Sequence, residues 1–357
     1  MSRLTQLSAL MAAFPGESPF ALAKTILNSE ARAKVQNAYA TGNPAGISGM
    51  GFTVDIYEQI TARAYDAKYP EIEWSRIMPA AGIDRSVNPG AKFASARMRD
   101  WKGKGAFRAV VGKDIPTVGV SAGKIVVPLE AGGVSAHADL DEIRQVAFGF
   151  EGMNLLTDLG EAMRGAYERH REVTFFYGFA ALGFNGYLNT PNVPATTAGT
   201  KAAGGTTWAN ATPAEIVKDI SDNISGVIVA TNGVMKPNRI VLPLAQWLKI
   251  SLMNIGGTSG SLQNETVLSY LTRTLPAMTG APIEIISLRY LAGQGAGATD
   301  RMIIETVNGD TFYMPESVPF NMLPPQDLQY STHLFADYKF GGLARFWPTS
   351  ARYVDGI

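Results

Sequence analysis

The residues from Asp139 to Tyr177 carry one continuous helical pattern, which constrains the fold more than any other part of the sequence. Asp139 and Glu142 predict its start, as an N-cap and its capping-box partner. About 35 residues at 1.5 Å per residue form a rod of roughly 50 Å, some three times the usual helix length. We therefore expect a spine helix that one ordinary domain cannot cover. Its predicted buried stripe, with three- and four-residue steps, consists of Ile143, Val146, Phe150, Met153, Leu156, Leu159, Met163, Tyr167, His170 and Val173.

Four glycines interrupt the spine pattern: Gly149, Gly152, Gly160 and Gly165. Each glycine costs roughly 1 kcal/mol relative to alanine in a helix interior. Either another backbone packs closely against the helix at these positions, or the glycines allow the helix to bend. The static pattern favours close packing, and Gly149 and Gly152, three residues apart on one face, are the candidate position if the helix bends.

The segment from Ile77 to Ala136 is β-like and basic. Its sequences KFASARMR and KIVVPLEAG alternate around a polar tip, DWKGKGAFRAVVGKD. A basic loop with a tryptophan could contact nucleic acid, but the glycines and flanking strands favour a long β-hairpin arm. Its candidate contact residues are Arg97, Arg99, Trp101, Lys102, Lys104 and Arg108.

A second, mixed module is predicted beyond a bridge, Thr190 to Asn210, whose Thr, Ala, Gly and Pro content indicates a surface loop. Thr212, Pro213 and Glu215 predict the capped start of an amphipathic helix. The strand NRIVLP, two helices and the strand PIEIISL follow. The segments MIIETV and TFYM then predict a hairpin around the turn sequence NGD at 308–310.

The first 50 residues predict an arm with one short helix, Ala21 to Ala40, and a glycine-rich hinge, GNPAGISGMG. The run LSALMAAF could be a signal peptide, but polar residues interrupt it and one arginine precedes it, which favours a docking arm. Residues 52–69 fit either a helix or an extended segment.

Composition excludes several classes of function. The chain has 357 residues, 31 Lys+Arg and 31 Asp+Glu, so no global field attracts it to nucleic acid or to an anionic membrane. It has 0 cysteines, which excludes disulfides, thiolate nucleophiles and cysteine-bound zinc. Its apolar runs are far shorter than the roughly 18 residues that span a bilayer, so we expect no membrane partner.

Motifs for catalysis are weak. Ser121 lies in a G-x-S-x-G sequence, but a serine-hydrolase elbow stands between a strand and a helix, and a strand follows here. The histidines His137, His170 and His333 are too scattered for a metal motif, and a core or interface role is expected for His170. The glycine-rich loop 293–297 lacks the G-K-[ST] ending of a phosphate loop. We expect no catalytic residue, cofactor or metal.

The order of elements resembles the major capsid proteins of tailed bacteriophages, the Hong Kong 97 fold shared with encapsulin shells. The resemblance consists of a long extended loop, the strand KIVVPL, a spine helix that opens on an acidic turn, and a G-x-x-x-x-G-x-x-G-x-x-N run. That run is formed by Gly178, Gly183, Gly186 and Asn189.

The resemblance implies an α+β phage capsid fold with an N-terminal arm, an extended β-hairpin loop, a peripheral domain with the spine helix, and an axial α/β-mixed domain. The axial domain would cluster at capsomer centres, and the extended loop would reach over a neighbouring subunit. The implied segments are the arm (1–50), the peripheral domain's first part (51–85), the extended loop (86–118), the peripheral domain with the spine (119–185), the axial domain (186–325) and a return to the peripheral domain (326–357).

The function implied by the resemblance is structural: a virion subunit that self-assembles into hexamers and pentamers of an icosahedral head, put together in the host cytoplasm. Its partners would be further copies of itself, with scaffolding, portal and decoration proteins, and weak non-specific contact with packaged DNA. Two alternatives stay open at this point. One is an encapsulin-type protein shell, and the other is a serine hydrolase that uses Ser121.

Overall fold

The computed structural model describes residues 70–104, 117–149, 155–256 and 265–357. All of them belong to the second of the two compact units into which the chain divides, Met1–Lys68 and Tyr69–Ile357. The arm, its helix and residues 52–69 lie outside the described residues, as do the hairpin tip and Gly152.

A seven-stranded sheet carries the predicted hairpin. The strands are β1 (Ile83–Asp84), β2 (Phe93–Lys102), β3 (Gly119–Asp139), β8 (Phe312–Met322), β9 (Gln326–Leu328), β10 (Ser331–Gly341) and β11 (Ala344–Arg345), with the main order β1-β8-β10-β3-β2. The 21-residue strand β3 serves two partners: its first half pairs antiparallel with β2, and its second half pairs antiparallel with β10. The hairpin is therefore a continuous extension of this sheet.

A five-stranded sheet forms the second module. Its strands are β4 (Ala195–Thr197), β5 (Arg239–Leu242), β6 (Glu284–Ser287), β7 (Arg301–Glu305) and β12 (Ala351–Asp355), in the order β4-β12-β7-β5-β6. The last strand of the chain, β12, lies inside this sheet between β4 and β7. The segment 326–357, expected to return to the spine, thus contributes strands to both sheets.

Six α-helices lie in the described ranges: α1 (Trp74–Ile77), α2 (Leu140–Gly149), α3 (Leu155–Tyr177), α4 (Pro213–Ala230), α5 (Leu244–Leu252) and α6 (Val267–Thr279). The capping box of α4 is confirmed, because Thr212 Oγ1 accepts the N–H of Glu215 and the Glu215 carboxylate accepts the N–H of Thr212 at 2.7 Å. None of the described helices is long and apolar enough to cross a membrane.

The spine pattern is described in two parts, α2 and α3, on either side of residues 150–154. Glu142 Oε2 accepts the N–H of Asp139 at 3.1 Å, as the sequence predicted. The predicted stripe is wrong in the last turns, where His170 and Val173 are exposed and the charged Arg171 is buried. The reason is tertiary: strand β8 supplies a buried carboxylate for this arginine.

Two further expectations about connections are wrong. Strands β7 and β8 flank the turn at 308–310 but pair in different sheets, so the turn is a crossing between sheets and the predicted hairpin does not exist. The bridge from Thr190 to Asn210 is not merely a surface loop, because Trp208 within it is fully buried and Lys201 forms a buried ion pair with Asp219. The Trp208 indole N–H also donates to Asp219 at 2.9 Å, which fixes the bridge against α4.

Candidate assembly surface

The β2–β3 ribbon places the predicted contact residues on two different faces. Phe93 lies opposite Pro128 and Lys102 opposite Gly119, and directly opposite residues of an antiparallel pair share one face. Arg97, Arg99 and Trp101 therefore share one face, which we call the cationic face. Lys102 lies on the other face, where its Nζ is 3.2 Å from Asp100 Oδ2. Lys104 is exposed beyond the strand, and Arg108 lies outside the described residues.

The cationic face has a feature that sequence reasoning missed. The register pairs Arg97 directly with Lys124, and both side chains are exposed. Like charges directly opposite each other destabilise an isolated ribbon. Within the paired part of the ribbon, the cationic face contains no acidic residue that could relieve this repulsion. Lys124 is identified as a neighbour of Arg97 only by the strand register. The alternation of the predicted hairpin could have supplied this register.

Large apolar side chains surround these charges. Trp101 is 77% exposed and lies opposite Val120, which is 66% exposed, while Phe93 at the other end is 64% exposed. Exposed aromatic side chains next to arginines have the composition of a protein interface. The cationic face is thus suited to a partner that offers both apolar surface and carboxylates.

Among the described residues, the ribbon is anchored to the rest of the sheet at its base. Ala94, Val127 and Leu129 pack there against Tyr313 of β8 in a small buried cluster. Burial and the neighbouring Asp84 carboxylate, which accepts the Tyr313 hydroxyl at 3.2 Å, raise the pKa of Tyr313 to about 12. The anchor holds the ribbon to the sheet, while the strands beyond it carry exposed side chains on the cationic face.

The spine glycines do not share one environment. A Cβ on Gly160 would lie 2.9 Å from Met322 Cε, the end of a flexible side chain, and a Cβ on Gly165 would meet only the end of the Arg169 side chain at 4.0 Å. Among the described residues, no backbone of another element lies within 4 Å of a Cβ at Gly160 or Gly165, so the described fold does not supply the close packing that is the alternative to bending. Gly149 ends α2 and Gly152 lies outside the described residues, so bending at this pair stays a prediction.

The glycine and asparagine run closes the end of the spine. Gly178 has φ of +69°, and a Cβ there would collide with the Phe184 carbonyl. Asn189 then joins two turns, because its Oδ1 accepts the N–H of Gly186 at 2.6 Å and its Nδ2 donates to the Tyr177 carbonyl at 2.9 Å. The run is a compact cap that fixes how the chain leaves the spine.

A buried carboxylate joins the spine to the seven-stranded sheet. Glu316 of β8 is 2.9 Å from Arg171 Nη1 and accepts the Tyr167 hydroxyl at 3.1 Å. Arg85 approaches the same carboxylate at 2.9 Å from the solvent side. Burial, together with the negative charge of Glu316, raises the pKa of Tyr167 to about 12, so this tyrosine stays a donor. The Arg171 guanidinium also lies 4.1 Å from the Trp74 ring.

A second buried carboxylate joins the two sheets. Glu305 of β7 accepts hydrogen bonds from Tyr187 at 2.8 Å, from Arg239 of β5 at 2.9 Å and from Arg345 of β11 at 2.5 Å. Although burial alone raises a carboxyl pKa, the Arg239 and Arg345 guanidinium groups hold the pKa of Glu305 below its ordinary value. Glu305 is therefore a charged group that fixes the five-stranded sheet against the seven-stranded one.

A third carboxylate joins the spine to the second module. Glu172 is buried in α3 and receives a hydrogen bond from Arg289 at 3.1 Å. The Glu172 carboxylate also accepts the N–H of Glu73 at 2.7 Å. Arg171 and Glu172 are therefore both buried in long-range ion pairs, although charged residues near the end of a helix usually face solvent.

The geometry does not support the serine hydrolase. Ser121 lies within strand β3, opposite Asp100, and its hydroxyl contacts the Asp100 carbonyl at 3.4 Å. His137 and His333 lie directly opposite each other on β3 and β10 with ring centroids 5.7 Å apart, well along β3 from Ser121. In the described parts of the chain, no group of three or more His, Asp or Glu side chains could hold a metal ion.

The family of this chain is identified by a family model, and its fold is matched by solved structures. A family model for the major capsid protein matches residues 103–357. Among solved structures, the capsid of Myoviridae Phage XM1 is 16% identical with a TM-score of 0.67, and the match covers 85% of this chain and 98% of that chain. The capsid of an empty GTA particle is 11% identical over 85% of this chain and 97% of that chain, with a TM-score of 0.55.

A third similar structure, from Mycobacterium phage Adephagia, is 12% identical with a TM-score of 0.53, and the match covers 86% of this chain and 97% of that chain. At these identities the likeness shows the fold. A search of curated proteins found no match.

Proposed function

Because this chain belongs to the major capsid protein family, we propose that it tiles an icosahedral phage head around DNA as hexamers and pentamers. Its role is structural, it associates with copies of itself into a shell, and we assign it no catalytic step. One observation supports the proposal most strongly: within the described residues, the ribbon presents a cationic and aromatic face that is exposed and contains no acidic residue.

The domains proposed for the segments of this chain follow the resemblance to the capsid proteins. Residues 1–50 form an arm that tethers subunits, 51–85 and 119–185 form the peripheral domain, and 86–118 form the extended loop. Residues 186–325 form the axial domain, and 326–357 return to the peripheral domain before ending on β12 in the five-stranded sheet. Scaffolding, portal and decoration proteins, weak DNA contact and assembly in the host cytoplasm belong to the same proposal.

The extended loop is proposed to contact the neighbouring subunit through Arg97, Arg99, Trp101, Lys102, Lys104 and Arg108. The repulsion between Arg97 and Lys124 supports this, because acidic groups of a neighbour would relieve it on assembly. Such an electrostatic contact weakens with salt, since the Debye length falls from about 10 Å at 0.1 M to about 3 Å at 1 M.

Negative-stain microscopy of the purified protein tests the general role. We expect shells or capsomer rings, and a strict monomer at high concentration would contradict the proposal. Deletion of residues 1–45 should block or distort assembly while the remaining subunit stays folded, and normal shells from this truncation would contradict the tether.

Lys124→Glu tests the cationic face, because we expect it to stabilise the folded subunit but to weaken assembly. It turns a repulsive cross-strand pair into an attractive one, which stabilises the ribbon by a few tenths of a kcal/mol. It also removes positive charge that a neighbour would meet, so assembly should weaken, most at low salt. Lys236→Glu makes the same charge change on an exposed residue of the second module and is the matched control.

Light scattering at several salt concentrations measures the assembly of both variants. Weaker assembly of Lys124→Glu alone supports an electrostatic contact at the ribbon. Equal assembly of both variants at every salt concentration would remove the contact from the proposal. The pair Lys102→Glu and Lys104→Glu, on the other face and beyond the strand, reports in the same assay whether both faces contribute.

A further inference from the structure

Helix α5 carries an uncovered apolar stripe. Leu244, Leu248 and Leu252 follow one another at four-residue steps, so they lie on one face of the helix. Their exposed fractions are 49%, 46% and 80%. Single exposed leucines are ordinary on protein surfaces, but three in one row form a continuous apolar surface that favours a partner.

The opposite side of α5 is already occupied. Ile250 is fully buried in the core of the second module, and Trp247 packs against that core. The helix is therefore apolar on two sides, as is typical of a helix buried in a larger assembly. The described part of the subunit covers the Ile250 side and leaves the leucine side exposed.

The stripe also lacks charge. Lys249, the one charged residue of α5, directs its ammonium group to the carbonyls of Trp208 and Ala209, at 2.6 Å for Ala209. It is therefore engaged within the subunit. A surface without cations does not suit DNA or an anionic membrane, whereas the cores of protein interfaces are depleted of charged residues.

The position of α5 suits a lateral contact. The helix packs against α6 and against β6, which is an edge strand of the five-stranded sheet. Because β6 is the last strand in the order of this sheet, α5 lies at a lateral boundary of the second module within the described residues.

We propose that the Leu244–Leu248–Leu252 stripe packs against the next copy of this chain around a capsomer ring. This inference rests on the proposed function, because the ring supplies the second copy. A closed ring is built from heterologous contacts, in which the stripe of one subunit meets a different surface of its neighbour. The stripe of one copy thus does not meet the same stripe of another.

The absence of cysteine from the sequence makes a direct test possible. The full-length Leu252→Cys variant, labelled with a benzophenone maleimide and assembled, is irradiated and analysed on a denaturing gel. A ring of heterologous contacts gives a ladder that extends beyond the dimer, and mass spectrometry should identify both crosslinked peptides as this chain. Without the photoprobe, oxidation of Leu252→Cys should give no disulfide dimer, because the stripes do not meet each other.

Two substitutions provide an independent measurement. Leu248→Asp should lower the yield of particles at least tenfold, because it places a charge in an apolar contact. Thr272→Asp adds the same charge to an exposed position of α6 and should assemble as the wild type does. Circular dichroism and the urea midpoint of the unassembled subunits check that both variants fold.

Each outcome has one meaning. This inference would be overturned, with the proposed function left standing, if Leu248→Asp formed normal particles or if particles gave no crosslinks at Leu252. The same holds if the crosslinks stopped at the dimer or joined the stripe only to a different protein. Failure of the unlabelled wild-type chain to form any particle or ring would overturn the proposed function itself.

Discussion

The carboxylate of Glu305 offers the sharpest test of how the subunit is held together. In the variant Glu305→Gln, one amide replaces a carboxylate that accepts from Tyr187, Arg239 and Arg345. The Glu305 and Arg345 side chains are 0% exposed and the Arg239 side chain is 7% exposed. Two buried guanidinium groups would therefore lose their counter-charge, and the new NH₂ group would face their donors.

The expected loss follows from that burial. Removing one partner of a buried ion pair costs about 3–5 kcal/mol, because the remaining charge is left uncompensated. Exposed pairs contribute only about 0–1 kcal/mol. Glu265→Gln is the matched control, since its pair with Arg273 has the same chemistry at 2.9 Å but an arginine side chain that is 60% exposed. We expect Glu305→Gln to lower the free energy of unfolding by about 4 kcal/mol and the control by less than about 1 kcal/mol.

Urea unfolding of the unassembled subunit, followed by tryptophan fluorescence, measures both values. The pH dependence has a defined sign. Because the folded-state pKa of Glu305 is below its ordinary value of 4.5, its contribution is complete above that value and is lost as the pH falls through the lower, folded-state pKa. The free energy of unfolding of Glu305→Gln should lack this part of the dependence on acid pH. A loss of stability no larger than that of Glu265→Gln would refute the reasoning.

Three further predictions concern single positions. Gly165→Ala should raise the free energy of unfolding by up to about 1 kcal/mol, and Gly160→Ala by less because Met322 must move; thermal unfolding of the two variants ranks them. Gly178→Ala should destabilise the subunit, because its φ of +69° and the nearby backbone leave no room for a side chain, and an unchanged melting temperature would contradict this. Backbone N–H groups hold the pKa of Glu215 at about 2. The stabilisation by its charged form is therefore complete above pH 4.5 and is lost as the pH falls toward 2. Glu215→Gln should flatten the dependence of Tm on pH over that range.

Local chemistry could be predicted from the sequence where neighbours along the chain decide it. The capping box of Thr212 and Glu215 forms as expected, and Ile216, Ile220 and Ile224 are fully buried at their four-residue spacing. These features depend on residues within one helix. The order of elements was sufficient to identify the family for the same reason, since each element could be recognised separately.

The buried charges could not be predicted, because their partners lie far away in the chain. Arg171 and Glu316 are separated by 145 residues, and a charged residue near the end of a helix normally indicates a solvated face. Distant partners also explain why the hairpin predicted at 308–310 is wrong. The turn residues predict a chain reversal, but β8 pairs with β10 and therefore joins a different sheet from β7.

The cationic face of the ribbon also combines a part that the sequence could predict and a part that it could not. Arg97, Arg99 and Trp101 were named as candidate contact residues from the sequence; all three are exposed, and their contact with a neighbour stays a prediction. Lys124 was missed because its significance comes from the register, in which it lies opposite Arg97. A side chain on one strand acquires its electrostatic role only from the residue that the other strand places beside it.

The buried carboxylates also indicate where the subunit does not bend. Glu305 joins the two sheets, and Glu316 and Glu172 join α3 to β8 and to the second module. Since breaking such a pair costs about 3–5 kcal/mol, we expect these parts to move as one piece. If the capsid expands, any change of subunit shape would have to occur elsewhere, and the spine around Gly149 and Gly152 is our proposed position. The double variant Gly149→Ala with Gly152→Ala should stabilise the isolated subunit, because alanine favours the helix, yet hold particles in the unexpanded form. Electron microscopy after an expansion trigger would measure the particle diameter, and normal expansion of this variant would place the flexible point outside the spine.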